Sequence, residues 1–592
     1  MTNQNLAQLL EETADLLEID GGDSFRIRSY RRAAEAVAQS TVAIASLVET
    51  PELLLEIPGI GKGMAANLQA AVRDQSIPLR DELLARYSSR ILELLQLPGM
   101  GPKTVRMLWD AAQIASIDAL EAAIQDGRLS GLPRMGDKQL AKLLKGIQDY
   151  RKSSGRFRID HVETAWQALQ SYLSAVPGVE RVTAAGSLRR GRETAGDLDI
   201  LVTGPACEPG ATAPLVEAVA QYPGIRDLIA RGDNKVSFYL QNSLQVDVRL
   251  LPASSYGAAL QYFTGSKTHN VALRQRALRM GYTLNEWALA RVDDGSVVAA
   301  ATEEEIYAAL GLDWIPPELR ENMGEIEAAQ AHTLPHLITL QHLRGDLHMH
   351  TQATDGHHSI EEMAEAALAR GYGYIAITDH SKNLAMTNGL NEERALQQIA
   401  RIRAVDRSYA GRFRVFAGIE VDILADGTLD LPDAVLAQMP VVIASVHTGL
   451  QMPREAMTER VLRAIENPYV RILGHATGRL LLRREPYELD LTAVLRRCAK
   501  LGVAIEHNAA PERLDLCDRD LRLALELGCR LVINTDAHDT RHLDKMHFGI
   551  SQLRRAWVEP AMVLNTLEAG EFLAALRARP ANPAHTLEEA TV

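Results

Sequence analysis

Hydrophobic and polar positions follow three patterns along the chain, and each pattern has its own region. Residues 1–150 carry apolar residues at helical spacing, as in LAQLLEETADLLEI and PELLLEIPGIGKGMAANLQAAV. Between residues 180 and 250, short apolar runs alternate with polar positions, which predicts strands. Beyond residue 344, seven β-rich runs are separated by helical patterns. Such alternation predicts parallel strands in a barrel or a doubly wound sheet.

Three carboxylates fall on the strands predicted in the middle region. Asp197 and Asp199 are two residues apart, so a strand places both on one face. Asp247 lies in the alternating run LQVDVRLL, which predicts a second strand. Neighbouring carboxylates repel each other, and a cation neutralises them. Three of them on adjacent strands can hold a pair of Mg²⁺ ions around a phosphoryl centre.

A Gly-Ser turn precedes these strands. Gly186 and Ser187 end a short apolar run, and such a turn offers backbone N–H groups and a hydroxyl to phosphate oxygens. An isolated Asp-x-Asp is more often a solvated turn or an edge strand. Here the turn, the apolar flanks and the strand of Asp247 agree, and the combination resembles the nucleotidyltransferase superfamily.

The segment YFTGS at residues 262–266 makes the resemblance more specific, because with the upstream motifs it is similar to the polymerase core of the family X DNA polymerases. The resemblance implies that Asp197, Asp199 and Asp247 hold Mg²⁺ or Mn²⁺, with Asp247 near the primer 3′-OH. It also implies that the triphosphate is bound by Gly186, Ser187 and Arg190. The sugar pocket would be formed by Tyr262, Phe263 and Gly265. The nascent base pair and its template would be contacted by Asn270 and Arg274.

Two stretches of the head repeat one design, IPGIGKGMAANL and LLQLPGMGPKTVRMLW. Each has an apolar helix end, a Pro-Gly-x-Gly turn and a second helix whose free N-terminal amides can meet a phosphate. They resemble the helix-hairpin-helix motif, which binds the DNA backbone, and the positions this implies are Gly59, Gly61, Lys62, Gly99, Gly101 and Lys103. A third candidate, LPRMGDKQLAKLL, has Arg134 where the first glycine belongs and stays open.

The basic run FRIRSYRRAA resembles the small N-terminal domain of DNA polymerase beta. A solvated helix face is the alternative interpretation of such a run. The resemblance implies that Arg26 and Tyr30, with Lys62, bind a 5′-phosphate at a gap. The Schiff-base lysine of that family would fall near Asn67, which has no amine nucleophile, so the resemblance does not extend to lyase chemistry there.

Histidine is concentrated in the tail, where 14 of the 17 histidines lie between His332 and His547. In six of the seven β-rich runs, a strong ligand type stands at the end of the run. Barrels of alternating strands and helices place their chemistry at these carboxyl ends. Imidazole and carboxylate without thiolate suit Zn²⁺, Mn²⁺ or Fe²⁺, which can promote attack on a phosphoester.

The tail resembles the polymerase-and-histidinol-phosphatase (PHP) domain, a distorted seven-stranded barrel with up to three ions, here Mn²⁺ and/or Zn²⁺. The resemblance implies one ion on His348, His350, Glu420 and Asp536, a second on Glu420, His447 and His475, and a third on Asp355, His380 and His538. His507 is not among the implied ligands, and a buried or rim histidine is the better interpretation. The remaining tail histidines expected at the rim are His357, His358, His542 and His547.

Charge and composition limit the setting. The net charge is −13, but residues 1–160 carry 20 Lys and Arg against 21 Asp and Glu, so the acidic excess lies downstream. DNA contacts in the head must therefore use local basic clusters and backbone amides. The sequence shows no signal peptide and no apolar run long enough for a membrane helix, so no membrane contact and a cytoplasmic, nucleoid-associated location are expected. The scattered cysteines fit a reducing compartment.

The expected architecture is multidomain: a helical helix-hairpin-helix head, an α+β nucleotidyltransferase palm with a thumb, and a C-terminal distorted (β/α)7 barrel. In the head, we expect a phosphate- and DNA-binding domain at residues 1–85 and a second DNA-binding subdomain at residues 86–154. The palm is expected at residues 155–250 and the nascent-pair-binding thumb at residues 251–315. A linker at residues 316–343 would lead to the PHP domain at residues 344–592.

The whole chain looks like a bacterial-type family X DNA polymerase. We expect a monomer that fills short gaps in gapped or nicked DNA with dNTPs by two-metal nucleotidyl transfer. Its tail would act as a 3′–5′ exonuclease, an AP endonuclease or a 3′-end phosphatase. The alternatives are a template-independent nucleotidyltransferase and a small-molecule phosphatase with a DNA-binding appendage. A non-catalytic gap-binding scaffold is disfavoured by the complete carboxylate set.

Overall fold

A computed structural model shows two compact units, Met1–Gly155 and Arg156–Val592. It describes residues 3–578 apart from 41–43, 49, 56, 58, 75, 98–99, 130–131, 133–134, 137–138, 145–146, 148–154 and 385–386. Within that part of the chain, none of the helices combines the length and the apolar composition needed to cross a membrane.

The described part of the first unit is helical around one apolar core. It contains the α-helices α1 Asn3–Asp20, α2 Ser24–Gln39, α3 Pro51–Leu55, α4 Lys62–Asp74, α5 Pro78–Tyr87, α6 Pro102–Ala112 and α7 Ile117–Gln125, and residues 139–144 are also helical. Helices α4 and α6 each follow one of the Pro-Gly-x-Gly turns. Residues 132–144, the third candidate hairpin, lie only partly within the described residues.

The palm at the start of the second unit is a five-stranded sheet in the order β2-β4-β7-β6-β5 with helices beside it. Strand β4 runs parallel to β7, and the other neighbouring pairs are antiparallel. Its elements are β1 Phe157–Arg158, α8 Ile159–Ser174, β2 Arg181–Ala184, α9 Gly186–Arg189, β3 Thr194–Ala195, β4 Asp197–Thr203, α10 Ala213–Ala220, β5 Ile225–Arg231, β6 Lys235–Leu240 and β7 Gln245–Leu250. The parallel pair β4–β7 carries the predicted carboxylates.

The thumb follows, with a three-stranded sheet in the order β10-β9-β8. Its elements are α11 Tyr256–Thr264, α12 Lys267–Arg279, β8 Tyr282–Leu284, β9 Leu289–Arg291, β10 Val297–Ala299, α13 Glu303–Ala309 and α14 Glu325–Gln330. The first half of the expected linker 316–343 belongs to this core. Arg320 is fully buried and pairs with Glu303, with a shortest N–O distance of 2.6 Å. Residues 316–330 were expected to form a connector without a core face, but Leu319, Ile326 and Ala329 are buried in the apolar core of the thumb beside the Arg320–Glu303 pair.

The seven β-rich runs form seven parallel strands in sequential order. The elements are β11 Gly345–Asp346, α15 Ile360–Ala369, β12 Tyr374–Ile377, α16 Glu392–Ser408, β13 Arg414–Asp422, α17 Asp433–Leu436, β14 Val441–Ser445, α18 Arg454–Glu466, β15 Ile472–Leu473, α19 Leu491–Leu501, β16 Ala504–Asn508, α20 Asp518–Glu526, β17 Leu531–Asn534, α21 Met546–Arg555 and α22 Ala569–Arg577. The first and last strands approach each other, because Met349 and Ala537 form a parallel bridge. The expected seven-stranded barrel is thus present.

The interior of the barrel is apolar below the carboxyl ends of its strands. Alternate residues of each strand point inward, and Tyr374, Phe416 and Ile443 share one buried cluster. Phe572 of helix α22 stacks on Tyr374 with ring centroids 5.0 Å apart. The terminal helix therefore supports the interior, and the polar chemistry is confined to the opposite end.

Candidate active sites

The three predicted polymerase carboxylates lie on adjacent parallel strands. Asp199 of β4 stands opposite Asp247 of β7 in the ladder, and Asp197 lies two residues before Asp199 on the same face. Asp247 is 7% exposed, whereas Asp197 is exposed. The carboxylates therefore share one patch at the edge of a buried surface.

Charges around this patch favour a bound cation. Burial and the neighbouring Asp197 raise the pKa of Asp199 to about 7. Lys235 Nζ lies 3.0 Å from Asp247 Oδ2 and relieves part of the repulsion. Asp247 Oδ1 is buried and has no hydrogen-bond partner among the described residues. This donor set fits Mg²⁺ or Mn²⁺, which prefer carboxylate oxygens.

The Gly-Ser turn lies directly beside the carboxylates. Gly186 begins helix α9 at φ +57°, and a Cβ there would stand 2.7 Å from Asp199 Oδ2. Only glycine permits both this backbone conformation and this close approach. The half-buried Ser187 follows on the same turn. The two predicted phosphate-binding residues therefore adjoin the predicted metal-binding residues.

Arg190 joins the Gly-Ser turn to the thumb. Its Nη1 donates to the carbonyl of Thr264, and its Nε donates to Glu321 Oε1 over 3.2 Å. A Cβ at Gly265 would lie 3.1 Å from Arg190 Nη1. The structure thus brings the two predicted residues Arg190 and Gly265 together, with the guanidinium already held by Glu321.

The other residues assigned to nucleotide and template surround the end of helix α11. The rings of Tyr262 and Phe263 meet edge to face at 5.0 Å, and the guanidinium of Arg249 lies 4.0 Å from the Phe263 centroid. Asn270 Nδ2 donates to the carbonyl of Tyr262 over 2.7 Å. Arg274 is exposed one turn later, and its Nε donates to the Asn270 carbonyl. Hydrogen bonds therefore tie helix α12 to the predicted sugar pocket.

The nine predicted ligands of the tail meet at the carboxyl ends of the barrel strands. Glu420 of β13 lies at their centre and is 1% exposed. Its two oxygens lie 2.8–3.7 Å from ring nitrogens of His348, His350, His380, His447 and His475. One buried carboxylate is therefore shared by five histidines, as a polynuclear metal site requires.

Two more carboxylates extend the cluster. Asp355 Oδ2 lies 3.5 Å from Nε2 of both His380 and His538. Asp536 Oδ1 lies 3.1 Å from His350 Nε2. Three groups are compact enough to hold an ion: His350, Asp355, His380 and His538; His348, His350 and Asp536; and His380, Glu420 and His447. These groups overlap the three implied ligand sets, and the assignment of individual ions stays a prediction.

Buried donor atoms show that the cluster fits metal ions. His350 Nδ1, His475 Nδ1 and Glu420 Oε2 have no hydrogen-bond partner within the described residues. Burial, followed by the nearby His380, lowers the pKa of His350 to about 3, so its imidazole is neutral and can act as a ligand. The backbones of His475 and Asp536 also have positive φ angles, +23° and +52°, which residues other than glycine rarely adopt.

Two carboxylates behind the cluster were not predicted from the sequence. Glu506 Oε1 lies 2.7 Å from His348 Nδ1, and Asp422 Oδ1 lies 2.6 Å from His447 Nδ1. Such contacts fix the orientation of a histidine and present its other nitrogen to a metal. Glu506 comes from β16, the one strand without a predicted ligand. A carboxylate inside a fully buried strand was the available signal.

Arg513 is a second residue that sequence reasoning missed. Its Nε lies 3.6 Å from Asp536 Oδ2, and its side chain is 18% exposed. It follows strand β16 and is a cation at the edge of an anionic cluster. Its planar guanidinium is suited to a phosphate oxygen.

The histidines outside the ligand set have different surroundings. His507 is fully buried on the face of β16 opposite Glu506, and burial lowers its pKa to about 3. His357 is exposed, and His358 and His542 are half-buried near the cluster. His547 Nε2 lies 2.9 Å from Glu163 Oε2 of the palm, and its place at the rim stays a prediction.

The head has a cleft of about 430 Å³ where the basic run and the first hairpin meet. Arg26, Tyr30, Gly59 and Gly61 line it, and Asn67 Nδ2 donates to the Tyr30 hydroxyl over 2.8 Å. Lys62 is exposed as the first residue of α4, and Lys103 is exposed as the second residue of α6, after Pro102. Gly99 lies outside the described residues.

Comparisons with known proteins agree with this geometry. A helix-hairpin-helix domain matches residues 1–77, and a SAM-like helix-hairpin-helix tandem matches residues 91–149. The DNA polymerase beta thumb matches residues 259–321, and the PHP domain matches residues 346–508. Each recognised family therefore falls on the region that carries the corresponding motifs.

Whole proteins also match. The DNA polymerase/3′-5′ exonuclease PolX of Bacillus subtilis is 36% identical over 567 residues, which cover 95% of this chain and 97% of that one. DNA polymerase lambda of Rattus norvegicus is 28% identical over 54% of this chain and 57% of its own. A probable phosphatase of Syntrophotalea carbinolica is 29% identical over 38% of this chain and 92% of its own. The first similarity spans both predicted sites.

Proposed function

The chain belongs to the family X DNA polymerases that carry a C-terminal PHP domain, and from this membership we propose that it fills short DNA gaps and trims 3′ ends. The observation that carries the first activity is the pairing of Asp199 with Asp247 on parallel strands beside Gly186. The single chain is a DNA polymerase joined to a metal-dependent phosphoesterase.

At the polymerase site, Asp197, Asp199 and Asp247 hold Mg²⁺ or Mn²⁺. The ions supply positive charge for the phosphoryl centre and its pyrophosphate leaving group. The free Oδ1 of Asp247 accepts the proton of the primer 3′-OH, which then attacks the α-phosphate in line.

The incoming dNTP is held by the elements around the carboxylates. Amides of the turn at Gly186 and Ser187 bind the triphosphate, supported by Arg190. Tyr262, Phe263 and Gly265 form a sugar pocket that excludes a ribose 2′-OH, and Asn270 and Arg274 lie along the nascent pair and the template. The contact of Arg190 with Gly265 supports this division, because it joins the two halves of the nucleotide site.

At the barrel site, the nine histidine and carboxylate ligands hold up to three ions of Mn²⁺ and/or Zn²⁺. These ions supply Lewis acidity for hydrolysis of a phosphoester. Glu506 and Asp422 keep His348 and His447 oriented, and Arg513 binds the phosphate of the 3′-terminal nucleotide. The Bacillus relative is named a 3′–5′ exonuclease, which favours exonuclease action over AP-endonuclease and phosphatase action at this site.

The head binds gapped or nicked DNA through backbone contacts. The turns at Gly61 and Gly101 present helix N-termini to phosphates, with Lys62 and Lys103 beside them, and the cleft at Arg26 and Tyr30 takes the 5′-phosphate. Asn67 contributes no amine there, so we propose binding without lyase chemistry. We propose that the protein works as a monomer in the cytoplasm, at the nucleoid; its bacterial relative supports the cytoplasmic location.

Extension on three substrates tests the proposal. A duplex with a short gap, a recessed primer and a single strand are each supplied with one dNTP at a time and Mg²⁺ or Mn²⁺. We expect insertion of the complementary nucleotide, fastest at the gap with a 5′-phosphate. Equal extension of the single strand would instead indicate a template-independent enzyme.

A further inference from the structure

Helix α21 of the barrel packs against the turn that follows the Gly-Ser motif of the palm. Gly191 has φ +63°, and a Cβ there would stand 2.9 Å from Ser551 Cβ. Gln552 is 1% exposed, and its Nε2 donates to the Gly191 carbonyl over 2.6 Å. The backbone of this palm turn is therefore held by a barrel side chain.

Arg555, at the end of the same helix, joins three parts of the unit. Arg555 is 4% exposed, and its Nη2 lies 2.7 Å from Asp518 Oδ2 of barrel helix α20. Its Nη1 donates over 3.0 Å both to the carbonyl of Arg190 and to Glu321 Oε1. Barrel, palm turn and thumb end thus share one buried cation.

The same glutamate oxygen also holds the side chain of Arg190. Arg190 Nε donates to Glu321 Oε1 over 3.2 Å, so Arg555 contacts Arg190 through its carbonyl and through a shared carboxylate. Loss of Arg555 would leave the carbonyl and part of the carboxylate without donors, and buried polar groups without partners are costly. The turn would then shift to find other partners or water.

We propose that Arg555 is a positioning residue of the polymerase reaction, by which the barrel holds the Gly-Ser turn and Arg190 in the geometry that binds the incoming dNTP. The inference rests on the proposed function of that turn. Polymerisation then depends on the packing of the barrel and not on its metal ligands, which lie on other elements.

Single-nucleotide gap filling at varied dNTP concentration tests this role. We expect Arg555→Met to raise the KM for dNTP about tenfold, the loss typical of one charge-assisted hydrogen bond, with kcat changed less than about twofold. Arg555→Lys keeps a cation near Glu321 but cannot also reach Asp518 and the Arg190 carbonyl, so its KM for dNTP should lie between those of the wild type and Arg555→Met. Arg497→Gln, which removes a cation from a barrel pair with Glu466, is the matched control and should leave KM unchanged.

A second variant covers the case in which Arg555→Met fails to fold. Gln552→Met removes the donor to Gly191 at nearly constant volume and should raise KM in the same direction, with 3′–5′ hydrolysis retained as the sign of an intact barrel. An unchanged KM in both variants, or a fall in kcat alone, would overturn the inference. Absence of gap filling by the wild-type protein would instead refute the proposed function itself.

Discussion

The two carboxylate oxygens of Asp247 have different surroundings, which suits the proposed role of one of them in accepting the proton of the primer 3′-OH. Oδ2 pairs with Lys235, whereas Oδ1 is buried without a hydrogen-bond partner among the described residues. A neutral amide of the same shape would keep the packing and remove the charge.

We therefore expect Asp247→Asn to abolish primer extension while the affinity for gapped DNA, which depends on phosphate contacts elsewhere, changes less than about threefold. Extension and fluorescence anisotropy on the same gapped duplex measure the two quantities. Asp233→Asn, at an exposed position in the turn between β5 and β6, is the control and should extend normally. Extension by the Asp247 variant would exclude this carboxylate from the chemistry.

Glu506 makes a different kind of contribution, through His348. Its carboxylate holds His348 Nδ1 over 2.7 Å and also accepts from the backbone N–H of His475 over 2.8 Å. Glu506→Gln should lower 3′–5′ hydrolysis about 10–100-fold, the usual effect of removing a histidine's supporting carboxylate. Gap filling should be unaffected. Metal content by mass spectrometry should fall with the hydrolysis, and normal metal content with normal hydrolysis would refute the role.

Sequence spacing explains which of these residues could be foreseen. Asp197 and Asp199 are two apart on strand β4, so their shared face follows from strand geometry. His348 and His350 repeat this spacing directly after strand β11. Glu506 has no sequence neighbour among the ligands. Only the order of strands in the closed barrel brings it to His348, 158 positions away.

The hairpin turns carry a testable feature of the elements. Among the described residues, no atom lies within 4 Å of a Cβ added at Gly61 or Gly101, and neither glycine has a positive φ. Alanine is therefore free of clashes within the head, and only a ligand pressed against the turn would exclude it.

We expect Gly61→Ala with Gly101→Ala to leave the unfolding temperature unchanged and to weaken binding to gapped DNA about tenfold, because a methyl group would separate the phosphate from the helix N-terminus. Gly570→Ala, equally open in the barrel, is the control. Unchanged DNA affinity in the double variant would mean that these turns do not contact the backbone.

Helix α13 of the thumb begins with a buried carboxylate, Glu303. Burial alone would raise its pKa, but Arg320 and Arg189 lower it to about 2, against 4.5 for an ordinary glutamate. Because the pKa is lower in the folded state, the stabilisation is complete above pH 4.5 and is lost as the pH falls toward 2. Glu303 is therefore a structural anchor of the thumb at neutral pH.

Glu303→Gln should destabilise the thumb by about 3–5 kcal/mol at pH 7, since it leaves two arginines without their carboxylate. Thermal unfolding of the full chain should show a lower midpoint for the transition that includes the thumb. The difference in this midpoint between the variant and the wild type should shrink as the pH is lowered below 4.5. The exposed neighbour Glu304→Gln is the control. A pH-independent difference would contradict the role of the charge.

At the scale of elements, periodicity predicted the regular parts and missed the polar ones. The seven barrel strands follow from apolar runs that stop at turn residues, because strands buried on both faces leave that signature. Residues 316–330 have no such run. They reach the core through single apolar residues such as Leu319 and Ile326. Buried pairs of Arg320 with Glu303 and of Glu325 with His269 lie beside them, and neither feature forms a periodic stripe.

The second unit as a whole contains both proposed sites. Palm and barrel are joined by Arg479 and Glu193, 2.6 Å apart, and by His547 and Glu163. These pairs join side chains 286 and 384 positions apart, so no local pattern predicted the packing of barrel on palm. The motifs on each side predicted the two chemistries separately.

The central claim is that one chain holds two independent metal-dependent sites for opposite reactions at a DNA 3′ end. The most direct measurement follows both reactions on one gapped duplex with Mg²⁺ and Mn²⁺, for the wild type, the Asp197→Ala/Asp199→Ala variant and the His348→Ala variant. We predict that the first variant loses extension and keeps 3′–5′ hydrolysis, and that the second loses hydrolysis and keeps extension. Loss of both reactions in either variant would contradict the division into two sites.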